Sequence, residues 1–395
     1  MATIKAFPAL RYNLEIIKEI SSVVTPPYDV ISKDQQSQFY RSDKHNFIRI
    51  ILGKEKTGDD KQNNKYTRAK ACLDNWIGEG VLIQDNAPAI YIYQQLFVSE
   101  GKKVSRMGFI ALLKLEPSGK GVVFPHEKTF CKPKKDRLSL LKSTRANLSP
   151  IFGLYSDSNS KIENLIKDNC QNKPLLDFEF EQVRNRLWPI NDPAFIISLE
   201  KLIRDKKIFI ADGHHRYEVA CLYNELSSKA AQAEKSHRAA KPRKAAELHK
   251  LNSAFIMMHF CALESPGLMI LPTHRVLNNL PSIKLYPLKQ ALVKDFIIED
   301  FNNYKDLSQK LKSAKTGENF FGLFLGNKSF HLLKLKKIAK KNAKHSSGTY
   351  QDLDVVILHN LIFKRILGIK EKNHQDQQIL YTREENLAIK LVDSK

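Results

Sequence analysis

A run of polar residues, Asp212-Gly213-His214-His215-Arg216, follows an apolar segment and precedes a segment with helical spacing. Glycine permits a tight backbone turn and lets a ligand approach the main chain. The free N–H groups and the positive dipole end of a following helix favour an anion at that point. The two histidines and the arginine add side-chain donors. The run therefore predicts a phosphate-binding turn, with a helix cap made by Asp212 as the structural alternative.

A second polar segment places a carboxylate between cations. After Phe124-Pro125 it contains His126, Glu127, Lys128, Thr129, Lys132, Asp136 and Arg137. A carboxylate near cations stays ionised, which suits a general base. We expect Glu127 to be that base, with His126 and His215 as further catalytic side chains. The residues of this segment expected to hold a phosphate are Lys128, Thr129, Lys132 and Arg137; a surface cluster of ion pairs is the alternative.

Two further segments are expected to line a substrate pocket. The apolar run 267–271 predicts a strand that ends in Thr273, His274 and Arg275, and strand ends commonly deliver side chains to a site. The run 24–30 contains two adjacent prolines, which fix the backbone before Tyr28 and Asp29. The alternatives are a strand terminus in solvent and a turn with a purely structural role.

The elements that must position these segments are mixed along the chain. Helical spacing predicts helices over 66–77, 137–147, 217–226 and 353–367. Apolar runs predict strands over 89–98, 107–115, 149–155, 207–211, 254–259, 267–271, 320–325 and 330–335, the last two as a hairpin around Gly326-Asn327. Strands and helices do not alternate strictly along the chain, so the fold class expected is α+β (mixed α/β). The length of 395 residues favours two domains, 1–250 and 251–395.

Composition narrows the class of ligand and compartment. Lys and Arg number 64 against 42 Asp and Glu, a net charge of +22 that attracts nucleic acid, anionic lipid or phosphorylated metabolites. Only 16 of these cations are arginines, the residues that recognise phosphates with a two-pronged fork. No apolar run approaches the roughly 18 residues that span a bilayer. With five scattered cysteines and no apparent secretory signal, a cytoplasmic protein without a membrane partner is expected.

Several motifs, in order along nearly the whole chain, resemble the family called domain of unknown function 1015, found in bacteria and archaea. These motifs are VTPPYDVI, HEKTFCKPKKDRLSLL, NLSPIFGLY, RLWPI, ADGHHRYEVA and GLMILPTHRVL. Residues 227–250 and the lysine-rich stretch near residue 340 depart from the family pattern. Walker, Gly-x-Gly-x-x-Gly, His-Glu-x-x-His and Gly-x-Ser-x-Gly motifs are absent from the sequence.

The strand, Asp-Gly-His-His-Arg turn and helix are also similar to the ParB/sulfiredoxin superfamily, whose members place such a turn against nucleotide phosphates. Its free serine kinases have this turn and an upstream catalytic glutamate. The resemblance implies a ParB/sulfiredoxin-like core with insertions in residues 1–250, and a C-terminal α/β region in residues 251–395 that completes the site. It further implies that Glu127 activates the acceptor hydroxyl, and that the donor phosphate is held by Asp212, Gly213, His214, His215 and Arg216.

The resulting hypothesis is phosphoryl transfer to a small hydroxyl compound, with free L-serine as the leading acceptor and ATP, ADP or pyrophosphate as donor. Mg²⁺ is the cofactor that such donors imply, and its protein ligands are not assigned. The expected partners are a small phosphorylated ligand and a hydroxyl or amino-acid substrate. The alternatives are a ParB-like nucleotide-sensing or nucleic-acid-binding module, and a phosphoester or pyrophosphate hydrolase. The oligomeric state is left open.

Overall fold

The computed structural model describes residues 1–99, 101–116, 121–125, 131–237, 253–269, 273–277, 285–314, 318–337, 354–369, 379–382 and 384–394. The chain divides into two compact units, Met1–Met269 and Ile270–Lys395. Residues 255–262 belong to the first unit because they pair with its strands, so the division falls later than the boundary expected at residue 250. Helices and mixed sheets occur together, which confirms the α+β class; the ParB/sulfiredoxin-like core stays a prediction.

A nine-stranded mixed sheet forms the centre of the first unit. The strands of the unit are β1 (Ile4–Lys5), β2 (Leu10–Tyr12), β3 (Leu82–Gln84), β4 (Ile90–Ser99), β5 (Lys102–Lys114), β6 (Val123–Phe124), β7 (Ile151–Tyr155), β8 (Leu176–Phe180), β9 (Val183–Ile190), β10 (Ile208–Asp212) and β11 (Phe255–Ala262). Across the large sheet the order is β6-β10-β7-β11-β5-β4-β9-β8, and β1 also pairs with β5. The parallel pairs are β6 with β10 and β7 with β11. The strands β2 and β3 form a separate antiparallel pair.

The helices of the first unit are α1 (Lys33–Ser42), α2 (Ile48–Ile51), α3 (Lys65–Gly78), α4 (Cys131–Thr144), α5 (Lys161–Asn169), α6 (Pro193–Ile203) and α7 (His214–His237). Local signals set several of their starts. The Asn64 side chain accepts from the N–H groups of Tyr66 and Thr67 at the start of α3, at 2.9 and 3.2 Å. The helices expected near 66–77, 137–147 and 217–226 are confirmed.

The two faces of the large sheet differ because successive side chains of a strand point to opposite sides. One face carries Phe109 stacked on Phe260, with ring centroids 4.7 Å apart, and shares a buried cluster with apolar residues of α5 and α6. The other face, here called the polar face, carries Tyr93, Gln95, Arg106, Phe152, Asn185 and His259. One face therefore builds the core, and the other brings polar groups together.

The second unit contains smaller sheets. Its strands are β12 (His274–Leu277), β13 (Phe296–Phe301), β14 (Phe320–Phe324), β15 (Phe330–Leu335) and β16 (Ile379–Thr382). The antiparallel sheet has the order β13-β15-β14, and β12 pairs with β16. The helices are α8 (Leu285–Val293), α9 (Tyr304–Lys312), α10 (Asp354–Ile357), which continues as a π-helix over Leu358–Ile366, and α11 (Glu385–Asp393). The hairpin expected around Gly326-Asn327 is confirmed.

The strand expected over 267–271 is wrong for the residues described there. Residues 267–269 form a turn and an irregular segment. A Cβ atom on Gly267 would lie 2.4 Å from the carbonyl oxygen of Ser105 and 2.5 Å from the nitrogen of Arg106. The segment therefore crosses closely over β5, and its glycine serves that close approach. Among the described residues, no helix is long and apolar enough to cross a membrane.

Candidate functional site

The predicted strand, turn and helix are present at residues 212–216. The strand β10 ends at Asp212, α7 begins at His214, and Gly213 lies between them with a φ of +92°. Residues other than glycine adopt this backbone conformation only with strain. The guanidinium of Arg216 also packs against Gly213, since a Cβ atom there would lie 3.0 Å from Cζ of Arg216. Glycine is thus required both for its conformation and for the space it leaves.

Arg216 holds the 212–216 turn together. Its Nη2 donates to Oδ2 of Asp212, and its Nη1 donates to the carbonyl oxygen of Pro150 at 2.5 Å. The Arg216 side chain is 12% exposed, and its buried Nε has no hydrogen-bond acceptor among the described residues. Two of its nitrogens therefore stabilise the fold of the turn. The expected contact between Arg216 and a phosphate stays a prediction.

The two histidines of the turn differ in exposure. The His214 side chain is buried and His215 is half-buried. Asp212 stays 49% exposed although it pairs with Arg216. His215 and Asp212 are therefore the side chains of the turn that are placed to meet a ligand directly, while His214 lies within the protein.

The Tyr28-Asp29 turn lies beside the 212–216 turn, and its role in a substrate pocket stays a prediction. Burial, followed by the negative charge of Asp212, raises the pKa of Asp29, and the positive charges of Arg216 and His215 oppose that rise. Tyr28 and Arg216 also line a small cavity of about 60 Å³. Residues nearly two hundred positions apart in the chain thus share one electrostatic environment.

Arg137 reaches the same cavity from α4. Its guanidinium carbon lies 3.9 Å from the centroid of the Tyr28 ring. Burial, followed by the charge of Asp29, raises the pKa of Tyr28 to about 12, although Arg137 and Arg216 lower it. Tyr28 therefore keeps its proton at neutral pH and remains a hydrogen-bond donor.

The nitrogens of Arg137 are engaged within the protein. Nη1 donates to the carbonyl oxygen of Ile51 at 2.9 Å, and Nε and Nη2 donate to Asp136 at 2.9 and 2.5 Å. Asp136 also accepts from Lys65 at 2.8 Å and from the Tyr66 hydroxyl at 2.9 Å. Burial alone would raise the pKa of Asp136, but Arg137 and the hydrogen bonds hold it below its usual range. This network fixes α4 on α3; phosphate binding by Arg137 stays a prediction.

The predicted base lies outside the described residues, as do its neighbours His126, Lys128 and Thr129, and the side chain of Lys132 is not described. The described residues on either side are close to the turn. The strand β6 runs parallel to β10 and pairs Phe124 with Phe209, so both strands end at the same edge of the sheet. Lys134 of α4 forms an ion pair of 3.0 Å with Glu218 of α7. The role of Glu127 stays a prediction.

Asn46 supports the site and was not expected from the sequence. It is fully buried, and its Nδ2 donates to the carbonyl oxygen of Ser22 at 2.7 Å. Its Oδ1 accepts from the N–H of Ile48 at 3.0 Å, and the N–H of Phe47 donates to the carbonyl oxygen of Val23 at 2.8 Å. These bonds hold the backbone that leads into the Tyr28-Asp29 turn. The only sequence signal was a lone asparagine before an apolar run.

Thr273, His274 and Arg275 belong to the second unit. His274 and Arg275 begin β12 and pair with Thr382 and Tyr381 of β16. Nη1 of Arg275 donates to the carbonyl oxygen of Thr273 at 2.8 Å. The Nε2 atom of His274 is buried without a hydrogen-bond partner in the described part of the chain. The substrate contacts expected of these three residues stay predictions.

The two carboxylates near the turn suit a cation, but they do not form a larger ligand cluster. Asp29 and Asp212 carry carboxylate oxygens, the type of ligand that Mg²⁺ prefers, and binding of Mg²⁺ stays a prediction. In the described ranges, no group of three or more His, Cys, Asp and Glu residues is arranged to hold a metal ion. Cys72, Cys170, Cys221 and Cys261 are free thiols.

Comparison with known proteins identifies a family. No curated protein and no solved structure matches the chain. The family model described as a protein of unknown function, DUF1015, matches residues 4–356, a span that includes the Tyr28-Asp29 turn, the 212–216 turn and α4. Because the match covers most of the chain and includes the motifs that predicted it, the protein belongs to the DUF1015 family.

Proposed function

We propose that this protein transfers a phosphoryl group to the hydroxyl of a small molecule, with free L-serine as the leading acceptor. The observation that carries the proposal is that Arg216, Tyr28 and Arg137 line one cavity, while Asp29 beside them is in electrostatic contact with Asp212 and His215 of the turn. These segments are far apart in the chain. The 212–216 turn and Arg137 were expected to bind a phosphate, and the Tyr28-Asp29 turn was expected to line a substrate pocket. If the three segments only stabilised the fold, they would not all need hydrogen-bond donors and charged groups at the cavity.

The arrangement supplies what phosphoryl transfer needs. Such transfer depends on positioning and on stabilisation of charge, with little covalent chemistry by the protein. The first turn of α7 directs its N–H groups away from the helix, where an anion can accept from them. The Tyr28 hydroxyl adds a hydrogen-bond donor that keeps its proton, and His215 interacts electrostatically with Asp29 next to it. Arg216 and Arg137 are held by hydrogen bonds, so the site needs little reorganisation when charge develops.

The remaining roles concern the proton and the cation. In the proposal, Glu127 accepts the proton of the acceptor hydroxyl. Asp29 and Asp212 would hold Mg²⁺, which would neutralise charge on the donor phosphates when bound. The raised pKa of Asp29 fits this role, since a carboxylate beside another carboxylate is stabilised by a cation.

The pairing of charges around the site favours a small ligand over nucleic acid. Lys134 pairs with Glu218, Arg137 with Asp136 and Arg216 with Asp212. A surface that binds a nucleic-acid backbone needs cations that are available to many phosphates. Cations that are already paired with carboxylates are fixed in place and suit a single small ligand better than an extended nucleic-acid backbone. A hydrolase with water as acceptor would use the same residues, and the test below separates it from the transferase.

The test is a transfer assay with the full chain. Purified protein is incubated with Mg²⁺, L-serine and ATP, ADP or pyrophosphate, and O-phosphoserine is followed by ³¹P NMR. Asp212→Asn is expected to lower turnover by at least about tenfold, or about 1.4 kcal/mol. The matched control is Asp177→Asn, because Asp177 also pairs with arginine but lies on β8 at the far edge of the sheet.

The outcomes separate the candidate functions. Serine phosphorylation that falls in Asp212→Asn and persists in Asp177→Asn supports the proposal. Release of inorganic phosphate at the same rate with and without serine would identify a hydrolase. No turnover with any donor, together with DNA binding that weakens steeply with salt, would favour the nucleic-acid module.

A further inference from the structure

Arg106 on β5 is held in place without a counter-ion. Its guanidinium carbon lies 5.8 Å from the ring centroid of Phe97 and 5.5 Å from that of Phe152. Its Nε and Nη2 both donate to Oε1 of Gln95, at 3.1 and 2.5 Å. Gln95 is neutral, so this acceptor does not balance the positive charge. Within the described part of the chain, no carboxylate forms an ion pair with Arg106, and no group accepts from its Nη1.

Three other arginines of the same unit have a carboxylate partner. Arg11, Arg68 and Arg184 each lie 2.7 Å from an aspartate oxygen. A guanidinium withdrawn from water is stabilised by a carboxylate in the same way, because both groups carry full charges and their geometries match. Arg106 is half-buried between two rings but has only an amide oxygen. Among the described residues no carboxylate takes the position that an aspartate would take, so an anion from outside the chain can bind there.

A chain of amides fixes the orientation of Gln95. The Nδ2 of Asn185 donates to the carbonyl oxygen of Val183 at 2.8 Å, which directs Oδ1 of Asn185 away from that carbonyl. This Oδ1 accepts from the Tyr93 hydroxyl at 2.6 Å and from Nε2 of Gln95 at 3.3 Å. Since Nε2 of Gln95 faces Asn185, its Oε1 must face Arg106. The guanidinium is thus positioned before any ligand binds.

The polar face connects Arg106 with the 212–216 turn. The ring of Phe152 lies beside Arg106, and Phe152 is the register partner of Asp212 in the β7–β10 ladder. The ring of His259 stacks on Phe152 with a centroid distance of 5.1 Å. Burial, followed by the charge of Arg106, lowers the pKa of His259 to about 3, so this histidine is neutral at physiological pH. Phe152 thus contacts Arg106 through its ring and pairs through its backbone with Asp212, the residue at which the turn begins.

We propose that Arg106 binds the carboxylate of the small hydroxyl substrate while the 212–216 turn holds the phosphoryl donor. This inference rests on the proposed function and specifies its substrate class, which is a hydroxy acid or a hydroxyl-bearing amino acid. Nη1 and the second hydrogen of Nη2 have no acceptor among the described residues, so the two nitrogens can donate side by side to the two oxygens of a carboxylate. The sequence signal was an arginine two residues before Gly108, where the polar first half of β5 meets its apolar second half. Gly108 leaves room for His259, whose Nε2 would lie 2.7 Å from an added Cβ atom.

The test compares L-serine with L-serinamide, which lacks the carboxylate, by calorimetric titration of the full chain. Wild type is expected to bind serine at least about tenfold more tightly than serinamide, a difference of about 1.4 kcal/mol. Arg106→Met removes the charge with little change in length, and should abolish that preference while pyrophosphate affinity stays within about twofold. Arg184→Gln is the matched control, because it removes a positive charge from β9 of the same sheet.

A second variant tests the missing counter-ion directly. Gln95→Glu keeps the side-chain shape and supplies an internal carboxylate to Arg106. It should weaken serine binding by at least about tenfold although the arginine is still present. Thermal unfolding of each variant shows whether it is folded before it is titrated. Wild-type affinity for serine in folded Gln95→Glu would contradict the inference.

The remaining outcomes distinguish this inference from the function on which it rests. If Arg106→Met binds pyrophosphate more weakly but keeps the preference for serine, the guanidinium serves a phosphate and the inference is overturned. If wild type does not bind serine, the same variants are titrated with glycerate, lactate and L-threonine, and equal binding by wild type and Arg106→Met overturns it. Carboxylate binding that requires Arg106 without any phosphoryl transfer supports the inference and rejects the proposed function.

Discussion

The 212–216 turn and the polar face around Arg106 both present an arginine, but the groups that accept from it differ. Arg216 donates to the carboxylate of Asp212 and to the Pro150 carbonyl, so its charge is balanced within the protein. Arg106 donates to the amide oxygen of Gln95, and no carboxylate in the described part of the chain balances its charge. The comparison indicates that the first arginine maintains the shape of the backbone, while the second is available to a ligand. The motif alone pointed only to the first.

The largest expected effect is the loss of turnover in Glu127→Gln, a change that affects the proposed proton transfer and neither arginine. Glu127→Gln keeps the side-chain shape but removes the proton acceptor, so turnover should fall by about 10²–10⁴. Donor affinity should stay the same or rise, because a negative charge leaves the neighbourhood of the phosphates. Steady-state kinetics beside calorimetric donor titration measure the two effects. Glu163→Gln on α5 is the control, and near-normal turnover of Glu127→Gln would exclude Glu127 as the base.

Arg216→Ala should affect the fold as well as the ligand. It removes two hydrogen bonds from a charged group that is 12% exposed, and such bonds contribute about 1.5–3 kcal/mol each. The free energy of unfolding in urea and the affinity for pyrophosphate should therefore fall together. A variant with full stability but weak donor binding would show instead that Arg216 serves the ligand alone.

Gly213→Ala tests the turn without a change in charge. The φ of +92° strains any other residue, and the added Cβ atom would lie 3.0 Å from the Arg216 guanidinium. A loss of about 1–3 kcal/mol in unfolding free energy is expected. Gly78→Ala is the matched control, since Gly78 ends α3 with open space around it, and a gain of about 0.5–1 kcal/mol is expected there. Equal behaviour of the two variants would contradict the role assigned to Gly213.

Arg106→Met should change stability much less than Arg216→Ala. It removes two hydrogen bonds to the amide oxygen of Gln95 and contacts between a cation and aromatic rings, the latter contributing about 0.5–1 kcal/mol at partly exposed sites. It also removes a half-buried charge that has no carboxylate partner among the described residues, and this gain offsets the lost contacts. The unfolding free energy should stay within about 1 kcal/mol of wild type in the same urea experiment. If Arg106→Met is destabilised as strongly as Arg216→Ala, the distinction between the two regions is lost.

The smallest effect concerns pH. The pKa of Asp29 is raised in the folded protein, so folding favours its protonated form. The contribution of Asp29 to stability is then greatest at low pH and is lost as pH rises through the folded pKa. Asp29→Asn should raise Tm at pH 7 and change it little in acid. Asp136→Asn should have the opposite sign at pH 7, because the pKa of Asp136 is lowered. A lower Tm for Asp29→Asn at pH 7 would contradict the assignment.

Local signals made part of this architecture predictable. The Asp-Gly turn, the helix begun by Asn64 and the hairpin at Gly326-Asn327 each depend on residues that are neighbours in sequence. The contact between Tyr28 and Arg137 depends on how distant helices pack, so the sequence carried no direct sign of it. Arg106 was not predicted for a related reason, because Gln95 and Phe152 come next to it only through the way in which the strands of the sheet pair. The apolar run 267–271 misled because apolar spacing does not distinguish a strand from a segment that crosses one.

The position of β11 determines when these regions can form. In the sheet, β11 lies between β5, which carries Arg106, and β7, which pairs with the strand of the turn. In the chain, β11 begins at Phe255, long after β5 ends at Lys114 and β7 at Tyr155. Pairing between such distant segments is slow, because a long loop must close first. Because β11 is the last of these strands along the chain and lies between β5 and β7, the sheet that relates Arg106 to the turn is complete only after β11 has paired with both.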